Sequence, residues 1–386
     1  MTLWILDERL DSVKVVDSYK AFIWVDRYDD IGEFELYIPM GLVNLNDFQK
    51  GYYLMNSDSE RLMIIESLSI ASSVDESPCL AVSGRSLESL LKHRVVWKKT
   101  QFKATGTGEN RVKPNLQNVI KTLLNDNIIA PEIGARKIDN FIFEASTDSR
   151  ITELTMSTFD TRYFGEELYE IIRNLCVENN IGFKVFLNDE RKFVFKLYKG
   201  VDRSYEQTSN PYVIFSPKYD NLLNSNYLDS IYSLKNVALV AGESIEDPNN
   251  KDESIRETHT VSTLSDVVGV NRREIYVDAS SVSRDMDEDA DTDKLTEEEY
   301  QAHLKQKGID ALIENCEIQA FEGEVNDRIM YKYGRDYFLG DIVQIANEYG
   351  HEGQAYVSEF VTSHDQQGSF SYPTFINKQK GVYDYE

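Results

Sequence analysis

Ser86 stands where a nucleophile could stand. An apolar stretch runs into Gly84-Arg85-Ser86 and a leucine-rich run follows, the strand–turn–helix order in which hydrolases present a serine. A nucleophile elbow also needs a glycine two residues after the serine, and Glu88 occupies that place. Leu87, Leu90 and Leu91 follow at helical spacing. Ser86 is therefore read as an N-cap, its hydroxyl accepting a backbone N–H and contributing about 1 kcal/mol. Gly84 would then give a tight exit from the strand.

The other residue types that carry chemistry do not converge. His93, His259, His303, His351 and His364 lie far apart, without an H-x-x-x-H pair plus third ligand or a neighbouring cysteine pair, so no zinc site is expected. Residues 105–110, "TGTGEN", fit neither the dinucleotide nor the P-loop pattern and read as a loop. Asp285, Asp287 and Asp289 occupy the first alternate ligand positions of an EF-hand-like loop, and Asp291 and Asp293 continue the series. Ala290 falls where that loop needs glycine, and Thr296 falls at position twelve; a start at Asp287 puts Glu298 at twelve but Thr292 at the glycine. A solvated acidic loop that binds calcium weakly at most is expected. Carboxylate pairs for glycan hydrolysis abound, but no pair stands out, because sequence spacing does not report the separation that chemistry needs. No catalytic, cofactor-binding or metal-binding residue is assigned, and no cofactor is expected.

The elements around these residues change character along the chain. "EFELYIP" (33–39) alternates Phe34, Leu36 and Ile38 with Glu33, Glu35 and Tyr37, and "RLMIIESLSI" (61–70) places Leu62, Ile64, Leu68 and Ile70 at period two. Strands at short spacing suggest a small barrel or sandwich. Pro114 opens a helix with Leu116, Val119, Ile120, Leu123 and Leu124 on one face. A second helix over about 165–179 turns Leu168, Ile171, Ile172 and Leu175 inward. Residues 181–200 read as a hairpin setting Phe183, Val185 and Leu187 against Phe193, Phe195 and Leu197. Strands resume at 213–215 and 236–240, residues 243–257 read as acidic and turn-rich, and 273–280 is another strand. Thr296 and Glu299 form a capping box before a helix, and the end is strand-rich from about 318.

Composition narrows the class. A chain of 386 residues is expected to form two or more domains. No apolar run reaches the ~18 residues that span a bilayer, and "MTLWILDERLD" reads as a first strand, not a signal peptide. Cys79, Cys176 and Cys316 are scattered and odd in number, as in a protein made in a reducing cytosol. The net charge of −25 repels DNA phosphates, so no specific nucleic-acid binding is expected.

Four segments resemble, in order over about 80–350, the tail-associated (Tal-type) baseplate hub proteins of long-tailed phages. They are "GRSLESLLKHRVV" (84–96), "LYKGVDRS" (197–204), the pair "VIFSPKYDNLLNSNY" (213–227) and "NVALVAGE" (236–243), and "YGRDYFLGDIVQIANEYG" (333–350). The resemblance implies a fold akin to the central hub of contractile-tail baseplates: mixed β and α+β, with two antiparallel β-barrel-like domains. On that reading 1–98 is an N-terminal barrel-like domain and 99–200 an α+β domain. Residues 201–245 and 318–386 form a second barrel-like domain, interrupted by an α+β insertion at 246–317 that carries the acidic loop and capped helix.

The resemblance further implies a structural, non-enzymatic protein at the tip of a phage or prophage tail. It would be a homotrimer that meets a distal tail protein, a tape-measure protein and receptor-binding or fibre proteins, and that closes or gates the DNA channel. Part of the acidic excess would line that channel. Arg85 and Arg94 become candidates for subunit contacts or carboxylate pairing. The end at Glu386, soon after the Leu-Gly-Asp segment, leads us to expect no appended enzyme. The alternatives are a carboxylate-dependent cell-wall hydrolase and a calcium-dependent binding module using 285–293.

Overall fold

The first strands are β1 (Leu3–Leu6), β2 (Ser12–Val16), β3 (Ala21–Arg27), β4 (Glu33–Pro39), β5 (Tyr53–Asn56), β6 (Leu62–Ala71) and β7 (Cys79–Ser86). β4 buries Phe34, Leu36 and Ile38 as expected. β6 departs from a simple period of two. Leu62, Met63, Ile64 and Ile65 are all buried, because the strand lies between two cores: Leu62 and Ile64 face one, Met63 and Ile65 the other. A register shift between Ile65 and Ser67 then turns Leu68 toward the second core, while Ile70, paired with the buried Leu80, is 52% exposed. Gly84 belongs to this irregularity and not to the strand's exit. It pairs with Phe34 and Ile65, and a Cβ there would lie 1.7 Å from the Ile64 carbonyl oxygen.

The computed structural model describes all residues except 1, 43, 72–77, 107–111, 158–159, 248–249, 263–266, 281, 283, 285–295, 326–329, 348, 351, 366–367 and 378–386. The middle of the chain is α+β. It contains β8 (Thr100–Lys103), helices α1 (Leu116–Leu124) and α2 (Ser149–Thr152), β9 (Phe141–Glu144), β10 (Asp160–Tyr163), α3 (Leu168–Glu178), β11 (Gly182–Leu187) and β12 (Phe193–Tyr198). The β11–β12 register sets Phe183 against Leu197, Val185 against Phe195 and Leu187 against Phe193. α1 buries the five apolar residues expected of it, but its cap is Asn115, whose side chain accepts from the Asn118 N–H; Pro114 lies one residue outside. The core of this region continues into the first part through Leu62, Ile64, Leu87, Leu91 and Val96.

The remaining strands are β13 (Ile214–Phe215), β14 (Leu222–Ser230), β15 (Val237–Asp247), β16 (Asn250–Ser262), β17 (Glu274–Asp278), β18 (Ile318–Val325), β19 (Ile342–Ala346), β20 (Glu352–Asp365) and β21 (Gly368–Asn377). Both β-rich ends belong to one 13-stranded sheet, in the order β14-β18-β21-β20-β3-β4-β7-β6-β5-β1-β2, with β13 and β19 attached at β20. The 14-residue β20 makes the link. Its first part pairs with β19 and its second with β3, while β21 runs along the other edge. Two separate closed barrels therefore do not emerge from strand pairing among the described residues.

β15, β16 and β17 form a sheet of their own. The described residues of 243–257, a stretch expected to be acidic and turn-rich, instead supply facing parts of β15 and β16. α4 (Glu297–Glu314), which starts just after Thr296 as expected, buries Tyr300, Leu304 and Leu312 on this sheet. The side chain of Glu299, the second half of the expected capping box, lies outside the described residues. Arg284 ties the unit together. It pairs with Glu243 of β15, Glu257 of β16 and Glu297 of α4, and lies 4.2 Å over the Tyr300 ring.

Candidate functional site: a junction of three motifs

Tyr28, directly after β3, sits where the three parts of the chain meet. Its N–H donates to Ser358 of β20 (2.8 Å) and its carbonyl accepts from Phe183 of β11 (3.2 Å). Its hydroxyl donates to the Asn180 carbonyl (3.2 Å), and its ring lies edge-on to Tyr198, with 5.2 Å between centroids. Gly340, from the Leu-Gly-Asp segment, rests against this ring. A Cβ there would lie 2.2 Å from a ring carbon, and its φ of +84° already favours glycine. Gly200, from the Gly-Val-Asp-Arg-Ser segment, packs against Gly340; its Cβ would lie 2.0 Å from the Gly340 carbonyl carbon.

The same two segments are then locked by charge. Asp341, 2% exposed, accepts from the Val201 N–H (2.8 Å), from Arg203 Nε (2.7 Å) and from the Phe338 N–H (3.1 Å). The backbones add Arg203 N–H to the Ile342 carbonyl (2.7 Å) and Ile342 N–H to the Val201 carbonyl (3.0 Å). Two sequence motifs 140 residues apart are thus one bonded unit.

The third motif enters through a buried ion cluster that sequence reasoning missed. Arg61 is 4% exposed, and its guanidinium bonds Glu88 (0% exposed), the Arg27 carbonyl and, at 3.5 Å, the Tyr198 hydroxyl. Asp26 Oδ1 lies 3.7 Å from Arg61 Nε, and Asp26 accepts from Trp24 Nε1 (2.9 Å) and Ser59 Oγ (2.8 Å). Glu88 Oε1 also accepts from the Val185 N–H (2.9 Å), while its Oε2 has no partner. Burial alone would lower the Arg61 guanidinium, but Glu88, Tyr198 and Asp26 more than reverse this. Burial raises the Asp26 carboxyl against the pull of Arg61. Arg61 thereby joins β3, the turn after β7 and the β11–β12 hairpin.

Most residues singled out in the sequence lie apart from this junction. Ser86 occupies an N-cap position, but the helix after it, Leu87–His93, is 3₁₀, and the serine makes no cap bond. Its hydroxyl accepts instead from the Gly32 N–H (2.8 Å), which fixes the loop between β3 and β4 to the end of β7. Arg85 makes the expected carboxylate pair, bidentate to Glu66 at 2.7 and 2.8 Å. Arg94 donates instead to the carbonyls of Arg136 and His93. His259 bonds Gln301 and His364 bonds Ser369. His351 and the acidic series 285–293 lie outside the described residues, as does most of 105–110. Among the described residues, no group of three or more His, Cys, Asp or Glu gathers as metal ligands would. Chemically, the junction ties the parts of the chain together; apart from Glu88 Oε2, the polar side chains named here are bonded to one another or to backbone.

Glu178, the last residue of α3, was also illegible in the sequence. Burial first, then the carboxylate of Asp310 in α4, push its carboxyl up to about 8 against the pull of Lys307. The negative end of α3 acts in the same direction. A carboxyl raised in the folded state adds stability that is complete below its unfolded pKa and is lost as pH rises through about 8. The unfolding temperature is therefore expected to fall over this range, and Glu178→Gln should remove part of the fall. Scanning calorimetry on both proteins across a pH series checks this; parallel curves would refute it.

The chain matches the family described as "Siphovirus ReqiPepy6 Gp37-like protein" over residues 2–375. No curated protein matches it. Among solved structures it is similar to the 43 kDa tail protein of prophage MuSo2 from Shewanella oneidensis, with 12% identity and a TM-score of 0.56 over 97% of this chain and 98% of that one. It is also similar to the tail protein from Neisseria meningitidis MC58, with 12% identity and a TM-score of 0.56 over 99% of this chain and 97% of that one. Prophage tail protein gp18 from Listeria monocytogenes EGD-e gives 13% and 0.52 over 98% and 95%. At these identities the likeness is one of fold.

Proposed function

The chain belongs to the Siphovirus ReqiPepy6 Gp37-like family and has the fold of phage tail proteins, and from that premise we propose that it is the hub of a tail tip. In this reading it is a structural component of the virion that joins the tail tube to the adhesion apparatus and closes or gates the DNA channel. The observation that carries the reading is the single sheet that runs from β2 to β14 through β20, pinned at Tyr28, Arg61 and Asp341. A part that couples tube to adhesion proteins must pass load across its whole length, and a continuous bonded sheet does so without a flexible linker.

We keep two barrel-like modules, 1–98 and 201–245 with 318–386, within this proposal. Three chains would then present six such modules around a channel, against a distal tail protein, a tape-measure protein and receptor-binding or fibre proteins. The net charge of −25 supports a lining that does not hold DNA, since a basic wall would neutralise phosphates and retain the duplex. Among the described residues no helix is long and apolar enough to cross a membrane.

Light scattering on the purified protein should give three times 44.4 kDa. Antibody labelling of virions that carry the chain should place it at the distal end of the tail. Label along the tube or at the head would refute the hub role. Lysine substituted for several acidic residues of the bore should slow DNA release, and an unchanged rate would remove the charge argument.

A further inference from the structure

Arg94 and Arg136 meet on a surface that the junction does not use. Arg94 Nε donates to the Arg136 carbonyl (3.0 Å), and Arg136 Nη2 donates to the Val95 carbonyl (2.7 Å). Both guanidiniums are thus fixed in place. Neither holds a carboxylate among the described residues, whereas Arg85, Arg150, Arg203 and Arg284 each hold one. Arg94 Nη2 and Arg136 Nε and Nη1 keep no partner among the described residues, and none of the three is buried. Trp97 adds an apolar surface. It is 60% exposed, with the Arg136 guanidinium 5.3 Å over its ring, and Val95 and Ile133 are exposed nearby. The buried Asn127 holds the two halves together. Its Oδ1 accepts from the Trp97 N–H (3.3 Å) and from Arg136 Nη2 (3.2 Å), while its amide donates to the Leu123 carbonyl (2.9 Å). It belongs to the π-helical turn Asn125–Ile129 after α1, a form frequent at functional sites.

We propose that this patch binds an acidic segment of another protein, with carboxylates on the Arg94–Arg136 pair and a large apolar side chain on Trp97. The guanidinium fork matches a carboxylate, and two neighbouring cations repel until an anion joins them. Arg and Trp are also the side chains on which binding energy concentrates at interfaces. Because the backbone already fixes both guanidiniums, little side-chain freedom remains to be lost when the partner docks. Lys98 extends the positive surface, held only by an exposed pair with Glu132 at 3.8 Å. A long polyanion such as DNA suits the patch less. Glu166 and Glu167 run beside Val96 and Val95, and the chain beyond carries a net charge of −25, so a polymer crossing the patch would meet repulsion on leaving it. A short acidic segment ends within the patch. The proposal does not depend on the hub role.

The test pans a displayed library of random peptides on the full chain. The most enriched peptide is then synthesised with a fluorescent label, and its binding is followed by anisotropy. Enriched peptides are expected to place Asp or Glu beside Trp, Phe or Leu. Arg94→Ala and, independently, Trp97→Ala should each weaken binding by about tenfold, the scale of losing a charge-assisted bond or an aromatic anchor. Lys98→Glu should weaken it too. That side chain is 77% exposed, so the variant folds and keeps the test valid if either of the others does not. Tyr232→Ala, at an exposed position in the loop after β14, should change nothing. A library that enriches no acidic peptide overturns the proposal, as does an acidic peptide whose binding ignores Arg94→Ala, Trp97→Ala and Lys98→Glu alike. Displacement of the peptide by duplex DNA overturns it in favour of a polyanion. Variants that leave peptide binding intact and alter only the oligomeric mass overturn it in favour of a second copy of the chain.

Discussion

Arg61→Met is expected to destabilise the protein by about 3–5 kcal/mol, the range for removing one partner of a buried ion pair. Most of that loss comes from what stays behind. Glu88 is fully buried and keeps one oxygen unpaired, so without the guanidinium it is a carboxylate with only the Val185 N–H to hold it. Asp26 loses its only nearby cation of the cluster as well. The double variant Arg61→Met with Glu88→Gln should recover part of the loss, since the neutral amide still accepts from Val185 and leaves only Asp26 without its cation. Urea unfolding, followed by the fluorescence of Trp24 beside the cluster, gives both values, and the cycle gives their coupling. A single variant within about 1 kcal/mol of the parent would mean that water already screens the cluster.

This cluster also marks the limit of what the sequence reveals. Local signals within one element were legible: the inward faces of α1 and α3 and the β11–β12 register follow from apolar spacing, and the start of α4 from the capping residue Thr296. Pairing between distant residues is not local. Arg61, Asp26 and Glu88 each sit among ordinary strand or helix residues, and nothing at those positions announces a partner 27 or 35 residues away. The same holds for Ser86, whose setting reads as a cap until Gly32 arrives from another loop. β6 misleads for a related reason, because a strand with a core on each face has no polar side for a period of two to show. The charged β15–β16 ribbon escapes notice because ladder hydrogen bonds do not depend on side-chain polarity. The resemblance motifs did single out the right segments, although what they do is visible only where Gly200, Gly340 and Asp341 come together.

That meeting point yields the second large effect. Gly200→Ala is expected to destabilise by at least the ~1–3 kcal/mol typical of overpacking, and toward the upper end of it. The added methyl would lie 2.0 Å from the Gly340 carbonyl carbon, which is backbone and cannot swing aside as a side-chain tip would. Gly340 cannot retreat either, because Tyr28 stands on its other side and Asp341, the next residue, is held by three donors. Any relief must therefore separate the two motifs and stretch the bonds between Val201, Arg203 and Ile342. Gly134→Ala supplies the matched control, since no atom lies within 4 Å of where its Cβ would go, and its effect should stay near zero. Thermal unfolding of the two variants beside the parent decides the matter. If Gly200→Ala melts with the parent, the segments are not clamped at this contact, and a hub that transmits load through the junction would need another path.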